Sequence, residues 1–232
     1  MHRTHTIARI AGFVGSALAC APGASFAQAA PAAAELTRYA DVAESGLAKD
    51  VLDRVIARGG KSKRYTDVLP LDGGTVGIAH FAVGGLAPLY RHMDTQRYFG
   101  RSETVMVKQF AAACRPANRS GNDTGWGCYA QRWWRDGMNA FVHSAESPAA
   151  QEAAWLEMMK PVVDNALDHG WHDRRSLAIA LGIANSMGAA GFARLAERNH
   201  WRAEDTLRAY VGDNAHRQRR RDAIDAHFPV GH

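Results

Sequence analysis

The sequence predicts a mostly α-helical fold with α+β character, in which one small β or loop-rich insert lies near residues 65–85. Two observations carry this. Apolar residues recur at spacings of three and four over most of the chain, the pattern of helices that bury one face. Between Tyr65 and Gly85, by contrast, Pro70, Gly73, Gly74, Gly77, Gly84 and Gly85 cut the apolar runs too often for a long helix. With no internal repeat and no second linker-like stretch, residues 30–232 read as a single domain behind the segment 1–29.

That first segment has the layout of a secretory signal peptide. His2, Arg3, His5 and Arg9 form a charged start, Ile10 to Ala21 an apolar centre, and Ser25-Phe26-Ala27 or Ala27-Gln28-Ala29 a small-residue cleavage site. A secreted or periplasmic protein follows from this reading. Ala17-Leu18-Ala19-Cys20 offers an alternative processing site that would leave a lipid anchor on Cys20. The apolar centre is shorter than the roughly 20 residues a membrane-spanning helix needs, and no later transmembrane segment is expected.

Export decides how the cysteines are read. Loss of Cys20 with the signal leaves Cys114 and Cys128 as an even pair in an oxidising compartment, flanking a loop rich in Gly, Asn, Ser and Asp. A disulfide between them is expected, contributing about 3 kcal/mol on a chain-entropy estimate.

The chain carries 28 Lys and Arg against 23 Asp and Glu, a formal net charge of +5. Part of this surplus is the cluster Arg217, Arg219, Arg220 and Arg221, which reads as a solvated helix face. No basic patch interleaved with aromatic residues accompanies it, so nucleic acid is not an expected partner. His169-Gly170-Trp171-His172-Asp173 with Asp164 and Asp168 lacks the convergent ligand spacing of a zinc site. No metal or cofactor is expected.

The elements follow in order. Leu36, Ala40, Ala43, Leu47, Val51 and Val55 trace a helix over Leu36 to Ile56, with Gly46 positioned to break it and Gly59-Gly60 to end it. On that helical wheel Glu44 falls within the apolar arc. After the charged loop Lys61 to Arg64 comes a short hairpin with Asp72-Gly73 at its turn. Leu86, Leu89, Tyr90 and Met93 share one helical face, and Glu103 to Ala113 is a further helix. Ser147-Pro148 starts another, which carries Trp155, Met158, Met159, Val162, Ala166 and Leu167, with a kink expected at Pro161 and a stop at Gly170. Leu177, Leu181, Ala184, Gly188, Gly191, Phe192 and Leu195 mark the central buried helix. Helices over Glu204 to Val211 and Arg219 to Phe228 complete the set.

Two carboxylates stand out. Glu44 sits on the first helix, and Asp72 opens a glycine-rich turn followed by Thr75 and an apolar run. Paired carboxylates in different surroundings are the minimal equipment for glycoside hydrolysis, one acting as acid and the other as base or nucleophile. Asp67, which enters the same insert, is the alternative second carboxylate.

Ala43-Glu44-Ser45, followed by Asp72-Gly73-Gly74-Thr75-Val76-Gly77-Ile78 and Phe81, resembles the core pattern of the family 46 chitosanases, members of the lysozyme-like superfamily. The resemblance implies Glu44 as general acid, Asp72 as general base and Thr75 as a water-positioning residue. The implied reaction is inverting hydrolysis of a β-1,4-linked amino-sugar polymer. The chain departs from the family pattern in the longer interval between Glu44 and Asp72, and in His80, which replaces the glycine before Phe81. His80 and Trp126, the latter in the cysteine loop, are expected to touch the sugar chain. Chitosan is the first expected substrate and peptidoglycan the second, because a mild positive charge also suits an anionic glycan. The alternative from another class is a non-catalytic cell-wall or glycan-binding protein.

Overall fold

A computed structural model describes residues 35–59, 63–113 and 127–230, and their elements belong to one unit, Ala33–His232. The order is α1 (Tyr39–Glu44), α2 (Leu47–Val51), a π-helical stretch (Leu52–Ile56) and α3 (Ala57–Gly59). The hairpin strands β1 (Val68–Leu69) and β2 (Thr75–Val76) follow, then α4 (Leu86–Arg91), α5 (Thr95–Phe99) and α6 (Glu103–Ala113). The second half holds α7 (Arg132–Val142), α8 (Ser147–Asp168), α9 (Arg174–Arg198), α10 (Ala203–Val211) and α11 (Ala215–His227). The mostly helical class with a small sheet is as the sequence predicts, and α5 and α7 are helices its pattern did not reveal.

The first helix breaks where glycine allows it. Gly46 takes φ +70°, and Ser45 locks the joint: its hydroxyl donates to Val42 O (2.8 Å) and accepts from Leu47 N (3.2 Å). The break resets the helical phase. Val42 is the buried residue of α1, whereas Ala40, Ala43 and Glu44 are exposed. The predicted placement of Glu44 on the apolar stripe is therefore corrected, because that stripe was extrapolated through a helix that does not run on.

Helix α8 is the scaffold of the first half. It starts at Ser147-Pro148 as the sequence predicts, although Glu146 and not Ser147 stands at the cap, and it runs through Pro161 to Asp168, with Gly170 at φ +80° behind it. Its inward face carries Gln151, Trp155, Val162 and Val163, all buried. Trp155 satisfies its indole N–H on Asn185 Oδ1 of α9 at 2.8 Å.

Helix α9 is the central helix, with Leu177 to Ala184 almost wholly buried and a break at Gly188 (φ +71°, ψ 168°). It packs against α8 on one side and α10 on the other. At 25 residues it is long and apolar enough to cross a membrane by length and composition, contrary to the expectation that no later segment would be. Of its most apolar window, 56% is buried inside this fold, so its hydrophobicity is used as core.

At the C-terminal end, Arg175 is buried at 8% exposure and fully engaged. It donates to both carboxylate oxygens of Glu204, to Asp225 Oδ1 (2.6 Å) and to Phe228 O (2.6 Å). These bonds raise its already high pKa and tie α9, α10 and α11 together.

Candidate functional site

The hairpin pairs Val68 with Val76 and Leu69 with Thr75, antiparallel, and Asp72-Gly73 lies in the turn between them as predicted. Asp72 adopts φ +50°, a left-handed conformation that aspartate tolerates better than most residues. Its side chain is exposed and makes no hydrogen bond or ion pair among the described residues.

Neutral close contacts hold this turn. A Cβ on Gly74 would lie 2.8 Å from the Trp134 ring, and Trp134 is itself fixed by donating to Tyr90 Oη at 2.7 Å. A Cβ on Gly127, before the short helical turn Cys128–Ala130, would meet the Gly73 backbone at 2.6 Å. Gly77 faces Gln151, where a Cβ would fall 1.8 Å from Oε1. Gln151 accepts from Ile78 N (3.3 Å) and donates to Tyr65 O and Ser147 Oγ (each 2.8 Å), so its buried amide is satisfied.

Thr75 is 1% exposed, and its hydroxyl donates to Leu71 O at 2.8 Å. That hydroxyl closes the turn rather than facing solvent, which corrects its expected position beside a water. Asp67 accepts from Lys63 N (2.8 Å) and Arg64 N (3.2 Å) and pairs with Arg64 Nε at 3.4 Å. Its carboxylate caps the preceding loop and is only 14% exposed, a structural use that weighs against the alternative assignment. His80 is half-buried at φ +61°, with its backbone N–H on Gly77 O. Cys128 is buried, while Cys114 and Trp126, together with Cys20, lie outside the described residues.

Glu44 ends α1. It is exposed and, like Asp72, has no hydrogen bond or ion pair among the described residues; Arg38 is the cation that senses its charge. The two carboxylates are not bonded to one another. They stand on separate elements with a shared support. Helix α1 packs on α8, and the segment after β2 is pinned to the same helix through Gln151.

Beside α1 is a groove of about 280 Å³ that the sequence did not reveal. Ala43 and Gly46, which flank Glu44-Ser45 in sequence, line one side; Ala149, Ala153 and Leu156 of α8 line the other. Lys49 and Glu152 supply its polar groups. Behind them Tyr65 places its hydroxyl 3.0 Å from Asp53 Oδ1 and 3.1 Å from Glu152 Oε1. Burial and these two carboxylates push the Tyr65 pKa well up, so the phenol stays a proton donor. Lys49 also pairs with Asp53, four residues ahead on the helix. That spacing is the one sequence signal the cluster offered; Tyr65 and Glu152 meet it only through tertiary packing.

Among the described residues no group of three or more His, Cys, Asp and Glu is arranged to hold a metal ion. Comparison with protein-family models, with curated proteins and with solved structures finds no match.

Proposed function

We propose that this protein is an exported glycoside hydrolase of lysozyme-like type that cleaves a β-1,4-linked amino-sugar polymer, with Glu44 as acid and Asp72 as base. The observation that carries the reading is the state of these two side chains. Both were singled out by sequence pattern, and both are exposed with no hydrogen bond or ion pair among the described residues, a state they share with Asp168, Glu197 and Asp213 but not with Asp41, Asp50, Asp53, Asp67, Glu152 and Glu157, which are all engaged. A carboxylate that must accept or release a proton in a reaction has to be accessible to it.

In this scheme Glu44 donates its proton to the glycosidic oxygen as the bond to the leaving sugar breaks. Asp72 takes a proton from the water that attacks the opposite face of the sugar, which inverts the anomeric centre. The turn contacts around Gly74, Gly77 and Gly127 fix where Asp72 is presented, so little ordering remains to be done on binding. Along the groove, Ala43, Gly46, Ala149 and Ala153 leave room for a sugar ring, and Lys49 and Glu152 offer it hydrogen-bonding partners.

Local charge favours chitosan over peptidoglycan. The groove itself carries one charge of each sign, Lys49 and Glu152, with Asp53 behind Tyr65 and Glu44 next in sequence to Ala43; we take these neighbouring carboxylates as the reason to rank a cationic polymer first. The test is reducing-end release from chitosan and from purified peptidoglycan, measured side by side. Faster release from chitosan is expected. Faster release from peptidoglycan would reverse the substrate order, and binding without release from either would leave a glycan-binding protein.

A further inference from the structure

Among the described residues two arginines are buried, and they are treated differently. Arg175 has two carboxylates; Arg220, only 7% exposed, has none among the described residues. The sequence placed Arg220 on a solvated face, but its stem lies against Gly59, where a Cβ would fall 2.4 Å from the Arg220 Cγ and Nε. Its Nη1 donates to Gly182 O (3.1 Å), to Ser186 Oγ and to Tyr210 Oη (3.3 Å), all neutral acceptors. Neither its Nε nor its Nη2 has a hydrogen-bond acceptor among the described residues.

Arg220 lines a cavity of about 170 Å³ with Arg217, His216, Asn214, Tyr210 and Ser186. Arg217 stacks over the Tyr210 ring at 4.9 Å and donates to Tyr210 O at 2.9 Å, and it too lacks a carboxylate among the described residues. At His216, Nδ1 lies 2.6 Å from Arg219 Nη2. A guanidinium can only donate, so Nδ1 accepts and the ring proton sits on Nε2. The nearest acids in sequence, Asp213 and Asp222, are exposed and pair with no arginine. Two guanidiniums and the His216 ring thus line one small pocket that has no carboxylate among its described lining residues. A buried cation without a counter-charge is costly, and guanidinium donors match the oxygens of a tetrahedral oxyanion.

We propose that this cavity binds a phosphate group through Arg220 and Arg217, with Tyr210, Ser186 and His216 completing its walls. A phosphate dianion would neutralise both guanidiniums at once. The volume exceeds what one water occupies, about 30 Å³, by several-fold. The site is independent of the glycosidase reading, since none of its residues lines the groove beside α1.

The test is calorimetric titration of the intact protein with inorganic phosphate at fixed ionic strength, with chloride as the control and glycerol phosphate as a second ligand. Saturable binding of phosphate is expected. Glycerol phosphate distinguishes the source: binding of both ligands indicates a group carried on a larger molecule, and binding of phosphate alone an enclosed free ion. Arg217→Gln should weaken binding by roughly tenfold or more, the worth of one charge-assisted hydrogen bond. Ser186→Asp supplies the missing carboxylate beside Arg220; it should raise Tm in phosphate-free buffer and abolish phosphate binding. Absence of saturable heat with either ligand, or Arg217→Gln binding phosphate as tightly as the parent, overturns the proposal.

Discussion

Around Arg175 every charge is spent on architecture, whereas around the hairpin the architecture is held by uncharged contacts and the charges are left over. At the first site a guanidinium satisfies Glu204, Asp225 and the Phe228 carbonyl, and three helices meet because of it. At the second, glycines pressed on Trp134 and Gln151, a threonine hydroxyl on Leu71 O and a glutamine amide fix the turn, and Asp72 stands free on it. The contrast teaches how to sort charged residues by their partners alone. Those with geometrically complete partners explain why the chain folds, and those without are available for chemistry.

The comparison breaks most visibly at Arg175. Arg175→Leu removes the buried cation, leaves the Phe228 carbonyl and the half-exposed Glu204 without it, and leaves Asp225 with Arg221 alone. A loss of about 3 kcal/mol in urea unfolding is expected, with turnover per folded molecule unchanged. A variant that unfolds at the parent's midpoint would show that the clamp is ornamental.

Gly77→Ala probes the hairpin side. The site combines φ +67° with a Cβ that would fall on Gln151 Oε1, so the turn must shift or the buried amide must lose its bonds. Roughly 2 kcal/mol of stability should go, together with turnover, because the displaced segment carries Asp72. Loss of stability with full turnover would mean that Asp72 is not where the chemistry happens.

The smallest effect is electrostatic. The Asp41 carboxyl, bonded by the Arg38 side chain and by the N–H groups of Arg38 and Thr37, is held down from 3.8 to about 2. A depressed carboxylate pKa gives stability that is present above 3.8 and lost as pH falls through about 2. Its partner Arg38 is 77% exposed, so solvent screens the pair and the contribution is slight. Asp41→Asn should make the protein a little less stable near neutrality, and the gap should close in that acid window. A gap that does not change with pH would refute the assignment.

Much of the fold was legible because helices in this chain carry clear punctuation: Gly46, Ser147-Pro148 and Gly170 act where the sequence places them, whereas Gly188, read as part of the buried stripe, is exposed and breaks α9. Helices α5 and α7 were not read: α5 is only five residues long, although Asp94 caps it and Gly100 (φ +62°) ends it, and α7 starts at Gln131 with no side-chain cap. Phase was the subtler failure. A single left-handed glycine rotated α1 relative to α2 and moved Glu44 from the expected apolar face to solvent. Arg220 was misjudged for a related reason: a run of arginines at the start of a helix looks uniformly solvated until packing singles out the one that enters. The groove walls from α8 meet Lys49 and Tyr65 across about a hundred residues, a distance no local pattern spans.

The most direct test of the central claim is turnover of Glu44→Gln and Asp72→Asn on whichever polymer the parent cleaves. Both positions are exposed and unbonded, so both variants should fold with unchanged Tm. The account predicts that each loses activity by roughly 10²–10⁴-fold, the range for a general acid or base. Variants that fold and release reducing ends at the parent's rate would contradict it.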